Sequence, residues 1–121
     1  MSDTTKYITL TNDNFETEVK NSTIPVVVDF WAPWCGPCRV MNPVVTELAT
    51  NFEGIIKVGK VNIDDYEDLA TEYRIEAIPA LLLFEEGKVV EQLVGVVPKQ
   101  VLVEKVKALV EQQPLTLEQV V

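Results

Sequence analysis

The run Val26-Val27-Val28-Asp29-Phe30-Trp31 gives way, after Ala32-Pro33, to apolar residues at helical spacing, and this junction restricts the fold more than any other feature. A β-branched and aromatic run of this kind is typical of strands covered on both faces in a parallel sheet. Beyond it, Met41, Val44, Val45, Leu48, Ala49 and Phe52 recur every three or four residues, which predicts a helix over about 34–52. Gly54 ends that helix, and Pro43 inside it removes one backbone donor, so a kink is expected. A buried strand running straight into an amphipathic helix is the repeating step of an α/β layer fold.

The flanking sequence extends the pattern. Tyr7 to Leu10 reads as a first strand, and Thr11-Asn12-Asp13-Asn14 as the cap of a short helix pairing Phe15 with Val19. Residues 55–63 form another strand, and Asp64-Asp65 are expected to cap a short helix carrying Leu69 and Tyr73. Residues 80–84 and 89–94, joined by Glu85-Glu86-Gly87-Lys88, predict a hairpin. Pro98 suits the first turn of a last helix with Leu102, Val106, Leu109 and Val110 on one face. The tail carries a weak capping box at Thr116 and Gln119, with too few residues after it to build a helix.

A length of 121 residues, 47% of them hydrophobic, suits a single domain spanning 1–121, its core at about 6–111. The longest apolar runs are too short to cross a bilayer, and the first residues lack a basic-then-apolar leader pattern. A cytoplasmic protein is therefore expected, although a mature plastid or mitochondrial protein would read the same. The net charge of −9, from 19 acids against 10 bases, leaves no dense basic face for nucleic acid. With no His, a Ser-His-Asp or Cys-His mechanism is excluded. Two Cys without His cannot complete a four-ligand zinc site either.

What remains is the dithiol. Cys35 and Cys38 stand three residues apart where the strand hands over to the helix, so both sulfurs share one helix face and can bond. The helix N-terminus favours a thiolate, and Cys35 lies nearer that end. Cys35 is thus read as an exposed, ionisable nucleophile and Cys38 as the resolving thiol one turn behind. Lowering a thiol pKa from about 8.5 to about 7 raises the thiolate fraction about 16-fold, and reduced nucleophilicity takes back about 5-fold. Acidity alone is a weak lever. Proximity of the second thiol, worth effective molarities up to about 10⁵–10⁸ M, is the stronger one. The bland alternatives are a stabilising disulfide, worth only about 2 kcal/mol for so short a loop, or half of an intermolecular metal site. A CxxC beside a βαβ pattern favours redox chemistry over both.

The run Trp34-Cys35-Gly36-Pro37-Cys38 after Val-Asp-Phe-Trp-Ala-Pro resembles the signature of the thioredoxin family. The likeness continues through Lys60-Val61-Asn62-Ile63-Asp64, Ile78-Pro79, Gly87 and Val94-Gly95, across about residues 6–111. It implies a thioredoxin fold, a central mixed sheet of about five strands flanked by about four helices. Asp29 would then be a buried acid exchanging a proton with Cys38. The apolar pattern by itself places it equally well at a wet strand end. Lys60, on the neighbouring strand, would modulate Asp29, or else be an ordinary solvated lysine. Pro79, otherwise a plain strand opener, would be a cis-proline facing the dithiol. Trp34, Gly36, Pro37, Ile78, Gly95 and Val96 would frame Cys35 as a docking patch, whereas Trp31 belongs to the core. The chain departs from the family pattern at Asn42, Ala77, Ala80 and Val96. None of these removes a catalytic group, but Ala77 and Val96 add bulk beside the groove.

The resemblance implies a monomeric protein-disulfide reductase recharged by a thioredoxin reductase and acting on client proteins with reducible disulfides. It needs no cofactor beyond the Cys35–Cys38 disulfide, and neither metal, membrane nor nucleic acid. Gly-Pro between the cysteines points to the reducing branch. An isomerase-like domain would want a leader and a His in the motif. A binding subunit that uses the dithiol face only for docking is the non-enzymatic alternative.

Overall fold

A computed structural model describes residues 6–111, so the expected capping box at Thr116 and Gln119 lies outside the described residues. Five strands form one mixed sheet: β1 (Ile8–Thr9), β2 (Val26–Trp31), β3 (Lys57–Asn62), β4 (Ala80–Glu85) and β5 (Lys88–Val94). Their order is β1-β3-β2-β4-β5. β2 and β1 both run parallel to β3, while β4 pairs antiparallel with β2 and with β5. The Val26–Trp31 run is thus the middle strand, paired on both edges.

Helices cover both faces. Val26, Val28 and Phe30 of β2 join Leu10, Phe15 and Val19 in one apolar layer, together with Leu69 and Ala70 of α2 (Glu67–Glu72). Val27 joins the opposite layer, with Met41, Val45 and Leu48 of α1 (Gly36–Asn51) and Leu102, Val106 and Leu109 of α3 (Lys99–Glu111). The alternation along β2 therefore sends successive side chains to different helices, as a pleated strand requires. The architecture is the α/β thioredoxin fold that the motifs imply.

Several boundaries differ from the sequence reading. The short helix pairing Phe15 with Val19 is a wider turn over Glu16–Lys20, closed by Asn21 N–H donating to the Glu16 carbonyl. Thr11 and Asn14 brace the bend before it by exchanging side-chain bonds: Asn14 N–H donates to Thr11 Oγ1, and Thr11 N–H to Asn14 Oδ1. β3 starts at Lys57 rather than at residue 55, because Ile55 and Ile56 N–H still donate to the Phe52 carbonyl. Asp64 and Asp65 do not cap α2, whose N-cap is Tyr66 and has no side-chain bond. Asn62 closes that turn instead, its carbonyl accepting from Asp65 and Tyr66 N–H. The helix after β2 begins at Gly36, with Cys35 as its extended N-cap, and runs through Pro43.

The hairpin between β4 and β5 turns on Glu86 and Gly87, both at positive φ (53° and 80°), the geometry of a tight two-residue hairpin turn. A Cβ on Gly87 would also meet the Lys20 carbonyl oxygen at 2.6 Å. Gly54 has a similar φ of 84°, but a Cβ there meets nothing within 4 Å. Gly87→Ala is therefore expected to lose about 2 kcal/mol or more, and Gly54→Ala only the left-handed backbone cost of about 1 kcal/mol. Thermal unfolding of both variants measures the difference, and equal losses would remove the steric argument at Gly87.

Candidate active site

The site assembles where β2 ends and α1 begins. Pro37, at the start of the helix, gives up no bonded N–H, since the first helical donors have no partner inside the helix. Cys35 and Cys38 form a disulfide with their Cα atoms 5.2 Å apart. Cys38 N–H, one of the free first-turn donors, points to Cys35 Sγ at 3.1 Å. The helix end thus places a hydrogen-bond donor and its positive dipole end on Cys35 Sγ, a setting that favours a thiolate there.

Cys35 is not exposed as expected: in the disulfide both cysteines are only 4% accessible. The cause is tertiary. Ala32 completes the pair's apolar nest, and Trp31, Ile63 and Ile78, from three separate segments, pack against it. The Ile78–Pro79 peptide is cis, and the Pro79 carbonyl accepts from Gly95 N–H at 2.8 Å, so the loops carrying Ile78 and Gly95 are joined. Around this nest Gly36, Pro37 and Ala77 are exposed, as is Val96 at 54%. Trp34 is 64% exposed, and its indole N–H donates to Asp64 Oδ1, tying the ring to the loop before α2. Asp64, expected to cap α2, is thus a partner of Trp34.

Behind the pair lies a cavity of about 420 Å³ bordered by Cys38, Asp29, Lys60, Asn42, Tyr7 and Trp31, among others. Asp29 is 2% accessible and Lys60 6%, so neither the wet strand end nor the solvated lysine describes these residues. Asp29 Oδ1 has no hydrogen-bond partner among the described residues. Burial pushes the Asp29 carboxyl up to about 7, and the Lys60 ammonium opposes this in part. The same burial lowers the Lys60 pKa, opposed by Asp29. A carboxyl near 7 is about half ionised at neutral pH, the condition under which it both accepts and donates protons efficiently. Two contacts were not foreseen from sequence. Lys60 Nζ donates to Asn42 Oδ1, and it lies 4.1 Å from the centre of the Tyr7 ring.

Two sulfurs that bond across a single helical turn can pass two electrons to a partner disulfide and accept them back, provided protons are exchanged alongside. The buried Asp29 carboxyl borders the cavity that Cys38 lines, and a strand-to-helix dithiol in this setting defines a thiol–disulfide oxidoreductase. Residues 6–108 match the family model described as Thioredoxin. The chain is 52% identical over 93 residues to Thioredoxin 1 of a Nostoc species, covering 77% of this chain and 87% of that one. It is 50% identical to Thioredoxin of Pyropia yezoensis over the same shares of both chains. Thioredoxin M-type, chloroplastic, of Chlamydomonas reinhardtii is 45% identical over 96 residues, 79% of this chain and 69% of that one. The chain belongs to the thioredoxin family, and its activity is the exchange of dithiols for disulfides.

Proposed function

We propose that the protein is a general protein-disulfide reductase in which Cys35 attacks, Cys38 resolves and Asp29 handles the proton of Cys38. In the reduced protein the Cys35 thiolate attacks a client disulfide, forming a Cys35–client mixed disulfide and expelling one client thiolate. Asp29 as carboxylate then takes the proton of Cys38. The Cys38 thiolate attacks Cys35 Sγ, the Cys35–Cys38 bond forms, and the second client thiolate leaves. Two electrons pass to the client, which takes up two protons in all. The sulfur pair carries the electrons, so the reaction calls for no cofactor.

The observation that carries this reading is the buried Asp29 carboxyl, whose Oδ1 has no hydrogen-bond partner among the described residues, on the cavity that Cys38 also lines. The exposed residues Trp34, Gly36, Pro37 and Val96, with Ile78 and Gly95 beside them, supply a docking patch for an extended client segment, and Ile78 offers backbone pairing. Thioredoxin reductases as donors and disulfide-bearing proteins as clients follow from the family in general. The protein is read as a monomeric single-domain electron carrier of the cytoplasm. Among the described residues no helix is long and apolar enough to cross a membrane. One relative is named as chloroplastic, which supports a plastid as the alternative compartment.

Turbidimetric reduction of insulin with a catalytic dithiol donor tests the reading. Precipitation well ahead of the donor alone is expected. A rate equal to the donor's own would leave a docking module, not a reductase.

A further inference from the structure

Lys60 stands directly opposite Asp29 in the parallel pairing of β2 with β3. Registered neighbours on adjacent strands share a face, and a lysine arm readily spans the gap between strands. An ion pair between them would be the simplest outcome. Yet none joins them among the described residues, and Asp29 Oδ1 has no hydrogen-bond partner. The ammonium instead donates to Asn42 Oδ1 and lies against the Tyr7 ring. Asn42 is on α1, four residues after Cys38 and so on the same helix face, one turn further on.

We propose that Asn42 is a positioning residue that holds the Lys60 ammonium off Asp29 and so sets how readily Asp29 gives up its proton. The amide oxygen competes with the carboxylate for one cation, and the Tyr7 face supports the diverted position. Other ionisable groups bordering the cavity are Arg39 on α1, and Asp65 and Tyr66 before α2, while Cys38 is held in the disulfide. Arg39 is committed elsewhere, donating to the Pro33 carbonyl at 2.9 Å. β4 places the apolar Leu81 opposite Asp29. Lys60 is therefore the cation whose position controls the acid. The proposal deepens the proton-relay reading of Asp29 and rests on it for its functional meaning.

The test is Asn42→Ala, in which Lys60 is free to approach Asp29. Closing a unit-charge pair from about 6 to about 4 Å at an effective dielectric of about 20 lowers a carboxyl midpoint by about one pH unit. The readout is a ¹³C carboxyl NMR titration of the oxidised protein, with the Asp29 signal assigned by its loss in Asp29→Asn. A midpoint about one pH unit lower in Asn42→Ala is expected. An unchanged or raised midpoint overturns the proposal. In a Lys60→Met background, Asn42→Ala is expected to leave the midpoint where Lys60→Met alone puts it. A further drop there equal to that in the parent protein would show that Asn42 acts without Lys60, and the tether is then wrong. A merely structural Asn42 would lower the melting temperature without moving the titration. Should Asp29→Asn resolve mixed disulfides as fast as the parent, the relay reading falls, while the titration of Asn42→Ala still decides the tether.

Discussion

Cys35→Ser is expected to bring disulfide reduction down to the rate of the donor alone, a loss on the order of 10³-fold or more. A serine hydroxyl is not ionised at neutral pH and forms no stable bond to sulfur, so no mixed disulfide accumulates. Cys38 does not substitute for it. Cys35 is the N-cap of α1, whereas Cys38 sits inside the first turn behind Pro37 and borders the inner cavity beside Asp29. Cys38→Ser fails differently. Attack survives, resolution is lost, and clients accumulate on Cys35 as mixed disulfides visible by non-reducing gel and mass spectrometry. Trapping through Cys38 in Cys35→Ser, with none through Cys35 in Cys38→Ser, would reverse the two roles.

The second large effect is thermodynamic. The folded chain holds the Asp29 proton up to about pH 7, against an ordinary carboxyl value of 3.8. The folded state therefore binds this proton more tightly than the unfolded state. Below about pH 4 both states are protonated and burial of Asp29 carries no ionic penalty. Between about pH 4 and about 7 the unfolded chain is ionised while the folded chain still holds the proton, so stability falls across this window by up to about 4 kcal/mol and levels off above it. Asp29→Asn removes the titration while keeping the shape. Its advantage over the parent in urea unfolding of the oxidised protein is expected to be smallest near pH 4, to grow up to about pH 7 and then to level off. A stability difference that does not vary with pH would mean that Asp29 is ionised throughout, and its role as a proton carrier would go with it.

The parts of this molecule legible in sequence are those governed by local chemistry. The Val26–Trp31 run, the change of period after Pro33 and the Gly87 turn each state their own backbone geometry. The spacing of Cys35 and Cys38 is equally local, since one helical turn brings the sulfurs together. What escaped the sequence depends on residues far apart in the chain. Cys35 is covered through Ile63 and Ile78, which no local pattern links to it. Lys60 looks like any surface lysine until β3 is placed inside the sheet. Asn42 was visible as a departure from the family pattern, but its partner lies 18 residues away, on a different element. Asp64 reads as a helix cap because Asp commonly is one, and only the folded chain shows that it accepts from the Trp34 indole.

Asp29 sits near the middle of β2, flanked in register by Lys60 of β3 and Leu81 of β4, whereas Trp34, Ala77 and Val96 lie on loops outside the sheet. Shifting the acid would require re-registering three strands at once, while the loop residues can vary one at a time. On the proposed reading, the rim that docks partners is open to change one residue at a time with the buried acid left in place. Val96→Ala or Ala77→Gly is then expected to change which partners dock while leaving Asp29 and the Cys35–Cys38 pair where they are.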